Sequence, residues 1–265
     1  MANLTRYTDI VPQGILTRFV DVWTPPQLSA DARLPVIYMH DGQNLFEPGH
    51  AFGGEHWDIP SAVQRVMAER GLPGAIVVGI WNSAERWRDY APEVPMRSIE
   101  GTPIWNALLE RAGGRPQSDT YLRYLVEQLK PLVDRRHPTL PDREHTFVMG
   151  SSMGGLISLY AVEQYPEVFG GAACVSTHWP AGGYSLVDAM GAALPRAGQH
   201  RLYFDYGTAG LDADYEPYQR HMDEYLRTAG YREGIDWVTL RFDGADHNEA
   251  AWRARLDLPL HFLLK

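Results

Sequence analysis

The sequence predicts an α/β fold in which a mostly parallel central sheet is covered by helices on both faces. Short apolar segments of strand character alternate with longer segments of helical character, an order typical of parallel strands joined by helical crossovers. The helical segments mostly end at Gly or Pro. No internal repeat is visible, and α/β chains of 265 residues commonly form one domain. We therefore expect a single domain over residues 1–265.

The expected strands and helices follow in chain order. The strands are LTRFVDVW (16–23), PVIYM (35–39), AIVVGI (75–80), TFVMG (146–150), GAACVS (171–176), RLYFDY (201–206) and WVTLRF (237–242). The helices cover residues 57–71, 119–137, 154–166, 215–230 and 248–264. Alternation of Arg18, Val20 and Val22 favours a more exposed, antiparallel edge strand for the first of these segments.

The longest connection covers residues 81–117 and follows the strand AIVVGI. It exceeds the roughly 12–15 residues of an ordinary structureless loop. Ligands of open α/β sheets bind outside the carboxyl ends of the strands, which is where this segment begins. We interpret it as a lid or pocket-wall insertion with a short helix at PIWNALLERA (103–112), although a surface excursion is the alternative.

Composition excludes several classes of function. A net charge of −9 and scattered Lys and Arg argue against nucleic-acid binding. No apolar run approaches the roughly 18 residues of a membrane span, and the first residues lack a secretory leader pattern. We expect a cytoplasmic protein, with a secreted mature form left open. Cys174 is the single cysteine, and the spacing of His40, His50 and His56 fits no standard ligand motif, so no metal site is expected.

A candidate nucleophile lies in the segment VMGSSMGGL (148–156). It separates a predicted buried strand from a predicted helix and fits G-x-S-x-G, with Gly150, Ser152 and Gly154 in the fixed positions. In such a turn the central serine takes a strained backbone conformation at the start of a helix. Ser152 is therefore the candidate nucleophile, and Ser151 is interpreted as a small turn residue.

A nucleophilic serine needs a base and an oxyanion hole. His247 lies in the loop after the last strand, where this fold places its base, whereas His261 lies within the terminal helix. One oxyanion donor is expected to be the amide of Met153, which follows the nucleophile. The other is expected to be the amide of Gln43, with Gly42 allowing the backbone to turn this amide toward the site.

The acid of a triad is expected in the loop after the strand RLYFDY. Asp212 and Asp214 both lie in that loop, and Asp214 is better placed to cap the following helix, which favours Asp212 as the acid. Asp214 stays the main alternative. Asp205, Asp243 and Glu216 stay open as further candidates.

Segments spread over nearly the whole chain resemble the putative-esterase family of α/β-hydrolases, which includes esterase D and feruloyl esterases. They are VIYMHDGQNLF, ERWRDYAPE, MGSSMGGL, YFDYGT, STHWP and GADHNEAAW. The resemblance implies an α/β-hydrolase fold with Ser152 as nucleophile, His247 as base and the amides of Gln43 and Met153 as the oxyanion hole. It also implies an Arg-to-Tyr-Pro signature at Arg86 and Tyr90.

One position departs from the family pattern. Members often place the acid three residues after the Gly that ends the preceding strand, and that position is Gly210 in this chain.

The expected function is a cofactor-independent serine esterase that acts through an acyl-enzyme on small or aromatic acyl esters of carbohydrates. Tryptophan offers flat area for sugar faces or aromatic acyl groups, and Trp57 and several other tryptophans follow strand ends. The alternatives are an acyltransferase, a siderophore or thioester esterase, and a non-catalytic binding module. The partner is a small-molecule or oligosaccharide ester, and the oligomeric state is left open. The residues expected to contact substrate are His40, Trp81, Trp87, Tyr90, Trp105, His178 and Trp179.

Overall fold

A computed structural model describes residues 3–26 and 28–265, and its eight strands form one sheet. The strand order is β1-β2-β4-β3-β5-β6-β7-β8. Strands β3 to β8 run parallel, while β1 and β2 pair antiparallel at one end. The strands are β1 Leu4–Tyr7, β2 Val20–Trp23, β3 Val36–His40, β4 Ile76–Ile80, β5 Thr146–Ser151, β6 Gly171–Val175, β7 Arg201–Gly207 and β8 Trp237–Phe242. The predicted, mostly parallel α/β fold is confirmed.

Helices cover both faces of the sheet. They are α1 Ile59–Glu69, α2 Arg86–Tyr90, α3 Glu93–Met96, α4 Pro103–Ala112, α5 Ser118–Tyr124, α6 Lys130–Arg136, α7 Met153–Gln164, α8 Gly183–Ala192, α9 Glu216–Thr228, α10 Glu249–Ala254 and α11 Asp257–Leu263. A π-helical stretch, Leu125–Leu129, joins α5 to α6. The segments β3 to β6 are mostly apolar on both sides because each of these strands lies between two helical layers.

Two hydrophobic cores lie on opposite faces of the sheet. Along β3, Val36 and Tyr38 pack into one core while Ile37 and Met39 pack into the other, as the two-residue period of a strand requires. The first core takes side chains from α4 to α9, and the second takes side chains from α1, α10 and α11. Within the described ranges, no helix is long and apolar enough to cross a membrane.

The predicted edge position of the first strand is wrong, although its antiparallel pairing is correct. The strand β1, which the sequence did not reveal, pairs with β2 and covers it, so β2 is buried along its whole length. The prediction of an exposed strand rested on the polar residue Arg18, but the Arg18 side chain is buried in an ion pair with Asp89 at 3.1 Å. A buried ion pair therefore mimicked the pattern of a solvent-facing strand.

Further differences concern helices. The helices α2, α3 and α8 were not predicted, and the predicted helix over 248–264 divides into α10 and α11. The short helix predicted at 103–112 is present as α4.

The helix α7 is buried on every side and carries a carboxyl group that lacks partners. Both carboxylate oxygens of Glu163 are buried, with no hydrogen-bond partner among the described residues. Burial raises the pKa of Glu163 well above its ordinary value, so this carboxyl group keeps its proton to a higher pH in the folded protein than in the unfolded chain. The unfolded chain releases the proton above the ordinary pKa of 4.5. Stability is therefore lost as the pH rises above that value.

We predict that Glu163→Met raises the melting temperature, with a larger gain at pH 8 than at pH 5. Methionine fills a similar volume without a group that must stay protonated, and an unpaired buried polar group costs about 1–3 kcal/mol. Thermal unfolding monitored by circular dichroism at both pH values measures the gain. Glu167→Met is the control because Glu167 is exposed near the same helix. Equal gains at both pH values would contradict an ionisation cost at Glu163.

Candidate active site

The backbone of Ser152 is held in a sharp turn between β5 and α7. Its φ is 60° and its ψ is −123°, a conformation that non-glycine residues rarely adopt. The turn needs glycine at Gly150, because a Cβ there would lie 2.7 Å from the backbone oxygen of Gly154. Such strain persists only where the surrounding structure enforces it, and it concentrates at functional sites.

The amides of Gln43 and Met153 each lie at the start of a helical turn. Gln43 lies in a 3₁₀ turn, Gly42–Asn44. The first amide of this turn that has a backbone acceptor is that of Asn44, which donates to the Asp41 carbonyl. Met153 is the first residue of α7, and the first amide of this helix that has a backbone acceptor is that of Gly155, which donates to the Ser152 carbonyl. Because the first amides of a helical turn have no intrahelical acceptor, both N–H groups are available to a ligand.

The loop that carries Gln43 is held by Asp41, which has a left-handed φ of 55°. Arg86 donates two hydrogen bonds of 2.7 Å to the Asp41 carboxylate, and Asn82 Nδ2 donates a third of 2.7 Å. The amide of Asp41 donates to the hydroxyl of Tyr90 at 3.2 Å. Arg86 and Tyr90 thus hold the loop that lines the same cavity as Ser152.

Gly42 has a role different from the one expected. The left-handed residue is Asp41, whereas Gly42 lies against β4, where a Cβ would come within 2.4 Å of the backbone carbon of Gly79. Close approach of two backbones, and not freedom of φ, is what requires glycine at this position.

His247 and Asp212 form a hydrogen-bonded pair. His247 Nδ1 lies 2.5 Å from Asp212 Oδ1, and Asp212 is fully buried. Burial works to raise the pKa of Asp212, but hydrogen bonds from His247, Ser176 and Gly207 hold it below its ordinary value. His247 and Ser152 line the same cavity. Both belong to the described part of the chain, and no hydrogen bond joins them there.

The other carboxylates that the sequence left open lie apart from His247. Asp214 is exposed, Asp205 is buried in an ion pair with Arg255, and Asp243 pairs with Arg241. Glu216 pairs with Arg220 on the surface. The cap of α10 is Asn248, whose side chain accepts from the amide of Ala251.

A cavity of about 460 Å³ opens above the carboxyl ends of the parallel strands. Its walls include Ser152 and His247 together with polar and apolar side chains. The polar set is Asp41, Gln43, Asn44, Asn82, Arg86, Arg111, Ser151, His178 and Glu249. The apolar set is Phe52, Trp87, Leu211 and Trp252. Residues 82, 86, 87 and 111 all come from the long 81–117 connection.

Two of the seven residues expected to contact substrate line this cavity. Trp87 packs edge-on against His178 with ring centroids 5.9 Å apart. His178 Nδ1 also bonds the hydroxyl of Tyr215. Burial, together with the nearby His247, lowers the pKa of His178 to about 4, so this ring is neutral near pH 7.

The positions of the other five do not support contact with substrate. His40 and Tyr90 are buried behind the loop of Gln43, where His40 Nδ1 bonds the hydroxyl of Tyr121 at 2.8 Å. Trp105 and Trp179 are buried in the core. Trp81 donates from Nε1 to Asp21 at 2.8 Å, beside β2.

Several cavity residues were missed at the level of sequence. Asn44, Glu249 and Trp252 lie inside the segments DGQNLF and HNEAAW, so their proximity to Gln43 and His247 was the available signal. Phe52 and Leu211 come from loops with no such signal. Across residues 3–26 and 28–265, no group of three or more His, Cys, Asp or Glu side chains could hold a metal ion.

Comparison with known proteins gives the family. The model of the family described as putative esterase matches residues 17–263. The chain belongs to this family. It is a carboxylic ester hydrolase with an α/β-hydrolase fold.

Individual relatives are distant. The chain is 23% identical to the uncharacterized protein YbbA of Bacillus subtilis over 76% of its own length and 72% of that protein. It is 28% identical to a probable carboxylesterase of Oryza sativa over 53% of each chain. Among solved structures, the BES protein of Bacillus cereus superposes with a TM-score of 0.74 at 18% identity, over 99% of this chain and 95% of that one. A ferulic acid esterase superposes with a TM-score of 0.67 at 16% identity, over 98% of both chains.

We predict that Gly42→Ala lowers kcat of the esterase by about 100-fold, the size of effect seen when one oxyanion donor is lost. The added methyl group cannot fit against the backbone of Gly79, so the Gln43 amide must move. Steady-state kinetics with p-nitrophenyl acetate measures the change. Gly49→Ala is the control, because a Cβ at Gly49 has no neighbour within 4 Å. A wild-type kcat in folded Gly42→Ala would contradict this placement of the amide.

Proposed function

We propose that this esterase works through a Ser152–His247–Asp212 triad and an acyl-enzyme, with the amides of Gln43 and Met153 as the oxyanion hole. One observation carries the proposal. The strained Ser152 opens into the same cavity as His247, whose Nδ1 lies 2.5 Å from a buried carboxylate.

The reaction proceeds in two halves. Ser152 Oγ attacks the ester carbonyl while His247 Nε2 takes its proton, and the carbonyl oxygen gains negative charge at the two amides. Collapse of this intermediate breaks the ester bond, and His247 returns the proton to the leaving alcohol. Water then attacks the acyl-enzyme by the same route and releases the acid. Asp212 accepts from Nδ1 throughout, which fixes the tautomer of the ring and stabilises the imidazolium.

The substrate proposed is a small or aromatic acyl ester of a hydroxyl-rich alcohol such as a carbohydrate. Trp87 and the exposed Phe52 and Leu211 offer apolar surface to an acyl group. The polar side chains that line the same cavity suit a hydroxyl-rich alcohol. Because Trp81, Trp105 and Trp179 lie elsewhere, this support rests on the mixed lining of the cavity and not on the number of tryptophans.

Transfer of the acyl group to an alcohol acceptor would use the same residues. The ratio of transfer to hydrolysis, measured with and without a polyol, separates an acyltransferase from a hydrolase. Absence of any ester turnover would instead favour a binding module.

We predict that Ser152→Ala loses about 10³-fold or more of kcat and that Asp212→Asn loses roughly 10⁴-fold with the fold intact. Asparagine in place of Asp212 still fits but favours the wrong tautomer of His247. Hydrolysis of p-nitrophenyl acetate and labelling of Ser152 by a fluorophosphonate measure the losses. The matched control is Asp214→Asn, since Asp214 is exposed two residues away. If Asp212→Asn keeps most of its turnover while Asp214→Asn does not, the proposed acid is wrong.

A second candidate function is favoured by Arg111, which brings an unneutralised cation to the cavity. Arg86 is paired with Asp41, whereas Arg111 stacks on Trp87 with its guanidinium carbon 4.2 Å from the ring centroid. Arg111 forms no ion pair within the part of the chain that the structure describes. Such a cation suits an acyl group that carries a carboxylate or an acidic phenol, which includes the siderophore-esterase alternative.

We predict that Arg111→Gln lowers kcat/KM for p-nitrophenyl hemisuccinate about tenfold and leaves p-nitrophenyl butyrate unchanged. The two acyl groups have the same length, and only the first carries the charge that Arg111 would contact. The preference should weaken in high salt, because the cation is exposed. Arg115→Gln serves as the control because Arg115 is exposed and paired with Glu100. Equal losses on both esters would argue against an anion-binding role.

A further inference from the structure

Ser176 lies directly behind the proposed catalytic acid. It follows β6, has a positive φ of 41° and is completely buried. Its hydroxyl lies 2.6 Å from Asp212 Oδ2. The same hydroxyl oxygen lies 2.8 Å from Arg255 Nη2 and 3.0 Å from Trp252 Nε1. Three partners thus surround one hydroxyl group in the protein interior.

The chemistry of these partners fixes the direction of the hydroxyl proton. Guanidinium and indole N–H groups can only donate hydrogen bonds, so Arg255 and Trp252 occupy both lone pairs of the Ser176 oxygen. The single hydroxyl proton must therefore point to Asp212. An ionised carboxylate is the acceptor that this arrangement favours.

Arg255 is itself held in place by a buried ion pair. Arg255 Nη2 lies 2.9 Å from Asp205 Oδ1, and Arg255 Nε lies 3.2 Å from Asp205 Oδ2. The hydroxyl of Tyr203 donates to the same carboxylate at 2.9 Å. Because Asp205 belongs to β7, which is paired with β6 on one side and β8 on the other, this pair anchors the donor to Ser176 on rigid structure.

The remaining contacts of Asp212 complete its fixation. The amide of Gly207 donates to Oδ2 at 2.7 Å, which leaves Oδ1 to His247. We propose that Ser176, oriented by Arg255 and Trp252, is a positioning residue that holds the Asp212 carboxylate ionised and aimed at His247. This inference rests on the proposed triad and adds the residue that holds its acid.

The test is Ser176→Ala, measured by the pH profiles of kcat and kcat/KM on p-nitrophenyl acetate. We expect kcat to fall about 10- to 100-fold with little change in KM, the range allowed by loss of one hydrogen bond to a charged group. The acid limb of the kcat/KM profile should move to higher pH, because the carboxylate then keeps more negative charge to stabilise the imidazolium. The titratable or charged groups around this cluster are His178, Asp205, Tyr215, His247 and Arg255.

A matched control removes a buried hydroxyl that does not touch the acid. The Thr177 hydroxyl donates to the Cys174 carbonyl at 3.1 Å, one residue further along the chain. Thr177→Val should lower stability without moving kcat or the acid limb. If folded Ser176→Ala keeps kcat within twofold and an unmoved acid limb, the proposed positioning role is overturned.

A second variant keeps the test decisive if Ser176→Ala does not fold. Arg255→Lys keeps a charge near Asp205 but loses the fork that reaches both Asp205 and Ser176. We expect a smaller fall in kcat and a shift of the acid limb in the same direction, and wild-type profiles would overturn the proposal. Failure of the triad itself has a different signature, because Asp212→Asn would then stay active.

Discussion

The geometry of the whole site depends on the sharp turn at Ser152. Ser152 has a φ of 60° and is the single residue between the end of β5 and the start of α7. The chain therefore reverses here, so that the serine side chain lies beyond the end of the strand while the helix runs back along the sheet. Such a backbone costs energy, and surrounding contacts have to enforce it. The amide of Ser152 donates to the Val175 carbonyl at 2.9 Å, and Gly150 packs directly on the backbone of Gly154. The strain is thus held by the neighbouring strand and by one glycine contact.

The carboxylates around this turn follow one rule, which is that each buried charge has a donor fixed to another element. Asp41 is held by Arg86 of α2, and Asp205 is held by Arg255 beyond α10. Such pairs add little net stability, because desolvation offsets much of the attraction. Their value lies in geometry, since a bidentate guanidinium fixes the direction of a carboxylate. Asp41 orients the backbone that carries Gln43, so the ion pair between Asp41 and Arg86 fixes the direction of the Gln43 amide.

Most of the fold could be predicted from the sequence because central parallel strands are apolar on both faces and stand out as short runs. The strand β1 escaped because Leu4–Tyr7 has only four residues and an exposure pattern with no clear period. Helix α8 escaped because its first residues, Gly183 and Tyr184, resemble a loop. The division between α10 and α11 follows Arg255, whose side chain turns inward to Asp205. A buried ionic contact of that kind has no signature in local periodicity.

Within the candidate site, the order of residues along the chain indicated which residues come together. The sequence did not indicate the direction in which a side chain points. Order along the chain brought Ser152, His247 and Asp212 into consideration, because strand ends of a parallel sheet meet at one edge. The tryptophans show the limit, since Trp81 and Trp87 both follow β4 and only Trp87 turns toward the cavity. Direction depends on tertiary partners such as Asp21, which lies far away in the sequence.

The departure at Gly210 shows how the loop after β7 sets the position of the proposed acid. Gly210 has a φ of 56°, and a Cβ there would lie 1.8 Å from the Asp246 carboxylate, so no acidic side chain fits. The chain instead forms a 3₁₀ turn over Gly210–Asp214, which buries Asp212 and leaves Asp214 exposed. Asp212 then meets the amide of Gly207 and the ring of His247. The donors that surround a carboxylate, and not its count from the strand end, decide which residue of this loop can serve as the acid.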